Sequence, residues 1–201
     1  MMNKELIYIT YQTFPAETAN SLQTISNIKY LVNNNVNVSL FFPLREKRST
    51  DDVETLKRFY GFTEDFSIKG ISHNYPHGKI KIFPRLWFHI SHFFWAKKTI
   101  KRNFNEKDKN LNIKFFTRSD WIAFFLARGG QDVIFECHQP SRLRTYIIRK
   151  IGKLDNVKVI FLNSLLRDSC PKVKQSIILH NGVDQSIFEE TESRKDKYSI
   201  I

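Results

Sequence analysis

Glycine is missing where a nucleotide-binding loop would need it. The stretch after the first strand-like segment, residues 12–21, contains none, so the dinucleotide fingerprint GxGxxG is absent. No GxxxxGK[ST] phosphate loop occurs anywhere in the 201 residues. Oxidoreductase and NTPase readings thereby lose their best support. Cysteine is scarce too. Cys137 and Cys170 are the only two, and they form no CxxC pair. A disulfide framework and a zinc site are not indicated, and a reducing cytoplasm fits. The start, MMNKELIYITYQT, has too short an apolar run for a signal peptide. The longest aromatic stretch, residues 83–96, is broken by Pro84, Arg85, His89 and His92 and is too short and polar to span a bilayer.

Acidic residues are outnumbered, at 20 Asp and Glu against 32 Lys and Arg, which gives a formal net charge of +12. Such a balance points to a polyanionic partner: nucleic acid, an anionic membrane face or a phosphorylated substrate. The excess is uneven. Residues 79–114 carry ten Lys and Arg against two acids, Glu106 and Asp108, a local net of +8. Apolar residues make up 41%, enough for a globular chain, and the length suits one α/β domain better than two.

Hydrophobic periodicity switches between two and 3.6 along the chain. Residues 5–11 read as a buried strand. Leu22, Ile25, Ile28, Leu31 and Val32 then recur at helical spacing over residues 18–33, and a second strand over 36–42 is closed by Pro43. This β-α-β unit implies a right-handed crossover and parallel strands. A short helix over 53–60, a strand over 67–72 and a long basic-aromatic helix over 84–104 follow. Strands over 112–117, 132–136, 157–162 and 176–180 alternate with helices over 119–128, 142–153 and 164–169. Ser119 is placed to cap the first of these, and Gly129-Gly130 to stop it. The pattern predicts one doubly wound α/β domain over residues 3–188 and a charged tail over 189–201.

Ligands of open α/β sheets collect beyond the carboxyl ends of the strands. Polar side chains concentrate there: Glu17, Asn20 and Ser21 after the first strand, Arg118 after the fourth, Glu136 and His138 after the fifth, and Asn181, Gly182 and Asp184 after the seventh. The start of the helix near Asn20 could also offer backbone N–H groups to an anion.

Three patches carry a resemblance. FPAETANSLQTISNIKYLVNNNVNVSLFFP is similar to the opening of family 4 glycosyltransferases, with its Pro-x-Glu-x-Ala-Asn-Ser turn. FFTRSDWIAFFLARGGQDVIFECHQP is similar to a later segment, with Thr-Arg-Ser after one strand and Glu-x-His after the next. VIFLNSLLRDSC with IILHNGVDQSIF resembles the end of such a domain. The resemblance implies a Rossmann-like, doubly wound, mostly parallel sheet forming one half of a GT-B architecture. It implies a retaining enzyme that moves a sugar from a nucleotide-sugar to a glycan or lipid-linked acceptor, with no metal or cofactor. The acceptor side would be this N-terminal domain, and the donor would be held mainly by a second domain that the chain does not include. By the same implication His138 contacts the acceptor hydroxyl or takes its proton, and Glu136 orients it. Glu17, Asn20, Ser21 and Arg118 contact acceptor or donor phosphate, and Asn181, Gly182 and Asp184 shape the interdomain turn. A departure is Thr13-Phe14-Pro15, where many relatives have a glycine that admits the donor phosphate.

Each residue also has a plainer reading. His138 can be structural, Arg118 a salt bridge holding its loop, Ser21 a capping residue, Gly182 a conformational joint and Cys137 a buried filler. The helix over 84–104 either packs on the sheet or lies on an anionic membrane, which would place the protein at the inner face of the cytoplasmic membrane. Three functions compete: an acceptor-binding enzyme half, served by a separate donor-binding polypeptide if the gene is split; a non-catalytic remnant or binding module with the same fold; and nucleic-acid binding, which lacks any recognition motif.

Overall fold

The computed structural model describes residues 5–77, 79–104 and 113–180. Seven strands form one sheet: β1 (Glu5–Ile9), β2 (Asn37–Leu44), β3 (Ser67–Ser72), β4 (Ile113–Thr117), β5 (Val133–Cys137), β6 (Val157–Phe161) and β7 (Ser176–Ile178). The helices are α1 (Ala19–Asn33), α2 (Val53–Tyr60), α3 (Pro84–Asn103), α4 (Asp120–Arg128), α5 (Arg142–Ile151) and α6 (Ser164–Asp168). The spatial order is β3-β2-β1-β4-β5-β6-β7, and every pairing is parallel. The fold is therefore α/β, Rossmann-like and doubly wound, with the reversal of direction between β1 and β4.

Both faces of the central strands are buried, as parallel sheets require. Alternation along β1 sends Leu6 and Tyr8 to one face, where they pack with Ile25 and Ile28 of α1 and Leu56 of α2. Ile7 and Ile9 go to the other, with Trp95 of α3, Ile122 and Leu126 of α4, and Ile147 and Ile148 of α5. Each such fully buried aliphatic side chain stabilises the fold by about 1.5–3 kcal/mol.

The helix ends follow local chemistry. Thr18 caps α1 by accepting from the Ser21 N–H, Asp52 caps α2 through Thr55, Ser141 caps α5 through Arg144, and Asn163 caps α6 through Leu166. Asn35 adopts φ 61° just past α1, a left-handed conformation that asparagine tolerates.

Pro43 does not close the second strand. β2 runs through it to Leu44 and still pairs with β3 there, Pro43 standing opposite Ile71. The Phe41 carbonyl accepts from the Thr10 N–H, so Phe41 and Pro43 both turn their ladder groups toward β1. β1 ends at Ile9, opposite Phe41. The missing Pro43 N–H thus falls where no strand lies alongside to need it. The predicted tail over 189–201 lies outside the described residues.

Candidate functional site

Because the sheet reverses between β1 and β4, the loops leaving these two strands meet at the topological switch point of the carboxyl edge, where open α/β sheets bind ligands. Both loops are tied in place. The Tyr11 N–H donates to Ser119 Oγ across the switch point (3.2 Å), and the Ala16 N–H donates to the Tyr60 hydroxyl of α2 (2.7 Å). Ser119 does stand at the N-cap of α4, but its hydroxyl makes no capping bond, being turned to Tyr11 instead.

Arg118, Glu136 and His138 come together at this edge. On β5, Phe135 and Cys137 are buried in the core shared with α3, α4 and α5, so alternation turns Glu136 to the α1 side. Arg118 Nη2 donates to Glu136 Oε1 at 3.0 Å, with both side chains almost fully buried. His138 Nε2 meets the same carboxylate oxygen. Arg118 Nη1 reaches across to Gln23 Oε1 of α1 at 3.2 Å, and Arg118 Nε is buried with no partner among the described residues. Burial alone would raise the Glu136 pKa; the hydrogen bond from His138 and the Arg118 charge outweigh it and hold the carboxyl below its ordinary value. Glu136 is thus a carboxylate at neutral pH. The His138 side chain stays partly open to solvent. The Arg118 salt bridge, the plainer reading of that residue, is present, and the Glu136–His138 contact lies beside it.

Arg144 braces the two loops. Its Nε donates to Asp120 Oδ1 at 2.7 Å, Nη2 donates to the Arg118 carbonyl at 3.3 Å, and Nη1 to the Gln139 carbonyl at 3.1 Å. Gln23, Asp120 and Arg144 escape the sequence reading because they lie inside predicted helices rather than directly after strands. Tyr8, under the same site, is fully buried, and burial pushes its hydroxyl up to about 12. Cys137 behaves as the filler expected: it has no exposure, and burial drives its thiol up to about 12, away from the reactive thiolate.

The first loop contributes less uniformly. Glu17 and Asn20 have exposed side chains with no partner among the described residues. Ser21 is buried; its hydroxyl lies 2.8 Å from Thr18 Oγ1 and 3.5 Å from the Thr13 carbonyl, so it is engaged in the start of α1. Asn181, Gly182 and Asp184 lie outside the described residues.

A second polar grouping, not read from the sequence, surrounds Tyr11 at the same edge. The Tyr11 hydroxyl is hydrogen-bonded to His73 Nε2 (2.8 Å), its ring stacks on His92 (centroids 4.3 Å apart, 15° between planes), and the Arg45 guanidinium lies 5.3 Å from its centroid. Arg45 also donates to Thr13 Oγ1 at 2.7 Å, which ties the loops after β1 and β2. His73 Nδ1, His92 Nε2 and Trp95 Nε1 are buried without partners among the described residues. Burial lowers the His73 pKa to about 4 and that of His92 to about 3, so both rings are neutral at physiological pH. The signal for Arg45 and His73 was available: each follows a strand, β2 or β3, at the edge that already marked the others.

Among the described residues no group of three or more His, Cys, Asp and Glu is placed to hold a metal ion. No protein-family model and no curated protein matches the chain.

Proposed function

We propose that the chain is the acceptor-side half of a retaining glycosyltransferase of the GT-B type, acting with a donor-binding half that holds the nucleotide-sugar. The single observation that carries this reading is the Arg118–Glu136–His138 constellation at the carboxyl edge beside the switch point. It unites the Thr-Arg-Ser and Glu-x-His motifs on which the family resemblance rests. In this reading an acceptor hydroxyl donates to His138 Nδ1 while Glu136 holds the ring through Nε2, and proton transfer to the ring is stabilised by that carboxylate. Arg118, already bound on two sides, positions Glu136, and its remaining Nε–H is buried in the same cluster without a partner among the described residues. Glu17 and Asn20, exposed at the start of α1, contact acceptor or phosphate groups from the opposite wall.

The test is transfer of radiolabelled sugar from a panel of nucleotide-sugars to lipid and polysaccharide acceptors, using the natural protein with its donor-binding half. His138→Ala is expected to lower kcat about 10²-fold or more while changing the urea midpoint little, because the ring is partly exposed. Undiminished transfer by the variant, or inversion of the anomeric centre in the product, would remove the mechanism. Acceptor binding without turnover by any donor would instead favour a non-catalytic binding module.

A further inference from the structure

The structure revises which part of the basic-aromatic segment is free. One face of the later turns of α3 is spent on packing: Ser91, His92, Trp95, Ala96, Thr99 and Ile100 are buried. The first turn and the segment leading into it are not. Ile82 is 69% exposed, Phe83 71% and Leu86 54%, and Ile80 is also open to solvent. Lys79, Lys81 and Arg85 are interleaved with them and are also exposed. From Lys79 to Phe104 there is no Asp or Glu at all. Phe83 sits at φ 52°, a conformation unfavourable for a bulky aromatic, and no burial among the described residues compensates it. Monomeric proteins seldom expose adjoining large apolar side chains in this way unless something covers them.

We infer that residues 79–88 form a docking surface for an anionic lipid bilayer, with Ile82, Phe83 and Leu86 entering the interface and Lys79, Lys81 and Arg85 meeting lipid phosphates. Charge complementarity selects this occupant. A second copy of the chain would bring the same three cations against like charges in a two-fold contact, whereas an anionic surface rewards each of them by roughly fivefold in partitioning. Apolar and basic residues interleaved along one exposed segment suit the boundary between headgroups and acyl chains. No helix among the described residues is long and apolar enough to cross a membrane, so the contact is peripheral. The surface adjoins the candidate site: Phe88 of α3 packs edge-on against Tyr11 (5.5 Å), and Tyr11 is bonded to Ser119 at the switch point. Docking would bring the switch point to the lipid surface. The inference rests on this patch alone and stands or falls separately from sugar transfer.

The experiment is co-sedimentation of the full chain with vesicles containing phosphatidylglycerol and with vesicles of phosphatidylcholine alone, near physiological salt. Binding is expected only to the anionic vesicles, and to weaken as salt rises. The triple variant Ile82→Gln, Phe83→Asn, Leu86→Gln should lose roughly tenfold or more of it, as should Lys79→Gln, Lys81→Gln, Arg85→Gln. All six positions are exposed, and Asn accepts the positive φ at 83, so circular dichroism should be unchanged. Exposed Leu165, on α6 outside the segment, serves as control through Leu165→Gln, which should bind normally. Absence of binding, equal binding to both vesicles, or full binding by either triple variant would overturn the inference. So would a lipid-free dimer in sedimentation velocity that Phe83→Asn dissolves.

Discussion

Glu136 is the residue on which most of the candidate site depends. It lies on β5 with almost no exposure, and a carboxylate there is tolerable chiefly because buried Arg118 donates to Oε1, which the partly exposed His138 also meets. Removing one partner of a buried pair is costly, since the other charge is left behind. Arg118→Met is therefore expected to destabilise the domain by about 3 kcal/mol, read as a lowered urea midpoint at unchanged slope. Glu136→Gln should cost less, because the amide can still accept from Arg118. A loss under about 1 kcal/mol for Arg118→Met would show that the pair does not hold the loops. That these three residues share one edge was legible in the sequence, because Arg118 and His138 follow strands and Glu136 lies near the end of one, at the edge where ligands gather. Gln23, Arg144 and Asp120 were not legible: their roles depend on which helix face turns toward which loop, and spacing within one helix carries no such information.

At the scale of elements, strands and helices were readable because burial imposes a period of two or 3.6 on the side chains that pack. α2 and β3 have the limits that periodicity predicts, and α5 ends at Ile151, two residues before the predicted end. Gly152 stands at that stop, as the C-cap residue. A Cβ built there would lie 2.7 Å from the Ile148 carbonyl and 2.6 Å from Val173 Cγ1, closer than atoms can pack. The Lys174 N–H also donates to the Gly152 carbonyl at 2.7 Å, so the approach of residues 173–174 leaves no room to relax. Gly152→Ala is expected to cost about 1–3 kcal/mol through overpacking, visible as a lower melting temperature. If the melting temperature does not move, the segment before β7 is free to shift outward. Pro43 was misread for the opposite reason. A proline normally ends a strand, and only the shorter reach of β1 makes its lost donor harmless.

At the scale of the molecule, acid sensitivity follows from the histidines around Tyr11. The unfolded chain takes up a proton on each His near pH 6.5, whereas folded His73 and His92 resist protonation down to about 4 and about 3. The unfolded state therefore binds more protons across that interval, and stability falls as the pH drops below 6.5. Each buried ring contributes at most about 1.4 kcal/mol per pH unit. His77, also lowered by burial, and the Arg45 charge act in the same direction. Glu136 extends the loss only once the pH falls below the ordinary carboxylate range, because its folded pKa is also depressed. Urea midpoints measured from pH 7 to 4 should decline steadily, and His92→Phe, which keeps the stack on Tyr11, should flatten the slope. An equal slope in the variant would mean that the buried ring is protonated in the folded state as well.

The sequence by itself determined the alternation of strands and helices, and hence an α/β domain with its polar residues gathered at strand ends, because burial of apolar faces writes a local, periodic signal. Its lack of glycine after the first strand likewise disposed of the commonest phosphate-binding loops. Only the tertiary structure decided the order in which strands pair, and with it the switch point that brings Tyr11 to Ser119 and Arg118 to both Gln23 and Glu136. It also decided that α3 buries one face of its later turns and leaves its first turn bare, and that Arg45, His73 and His92 converge on one tyrosine. These residues are distant in sequence, and what joins them is the long-range packing of layers, which no local period records.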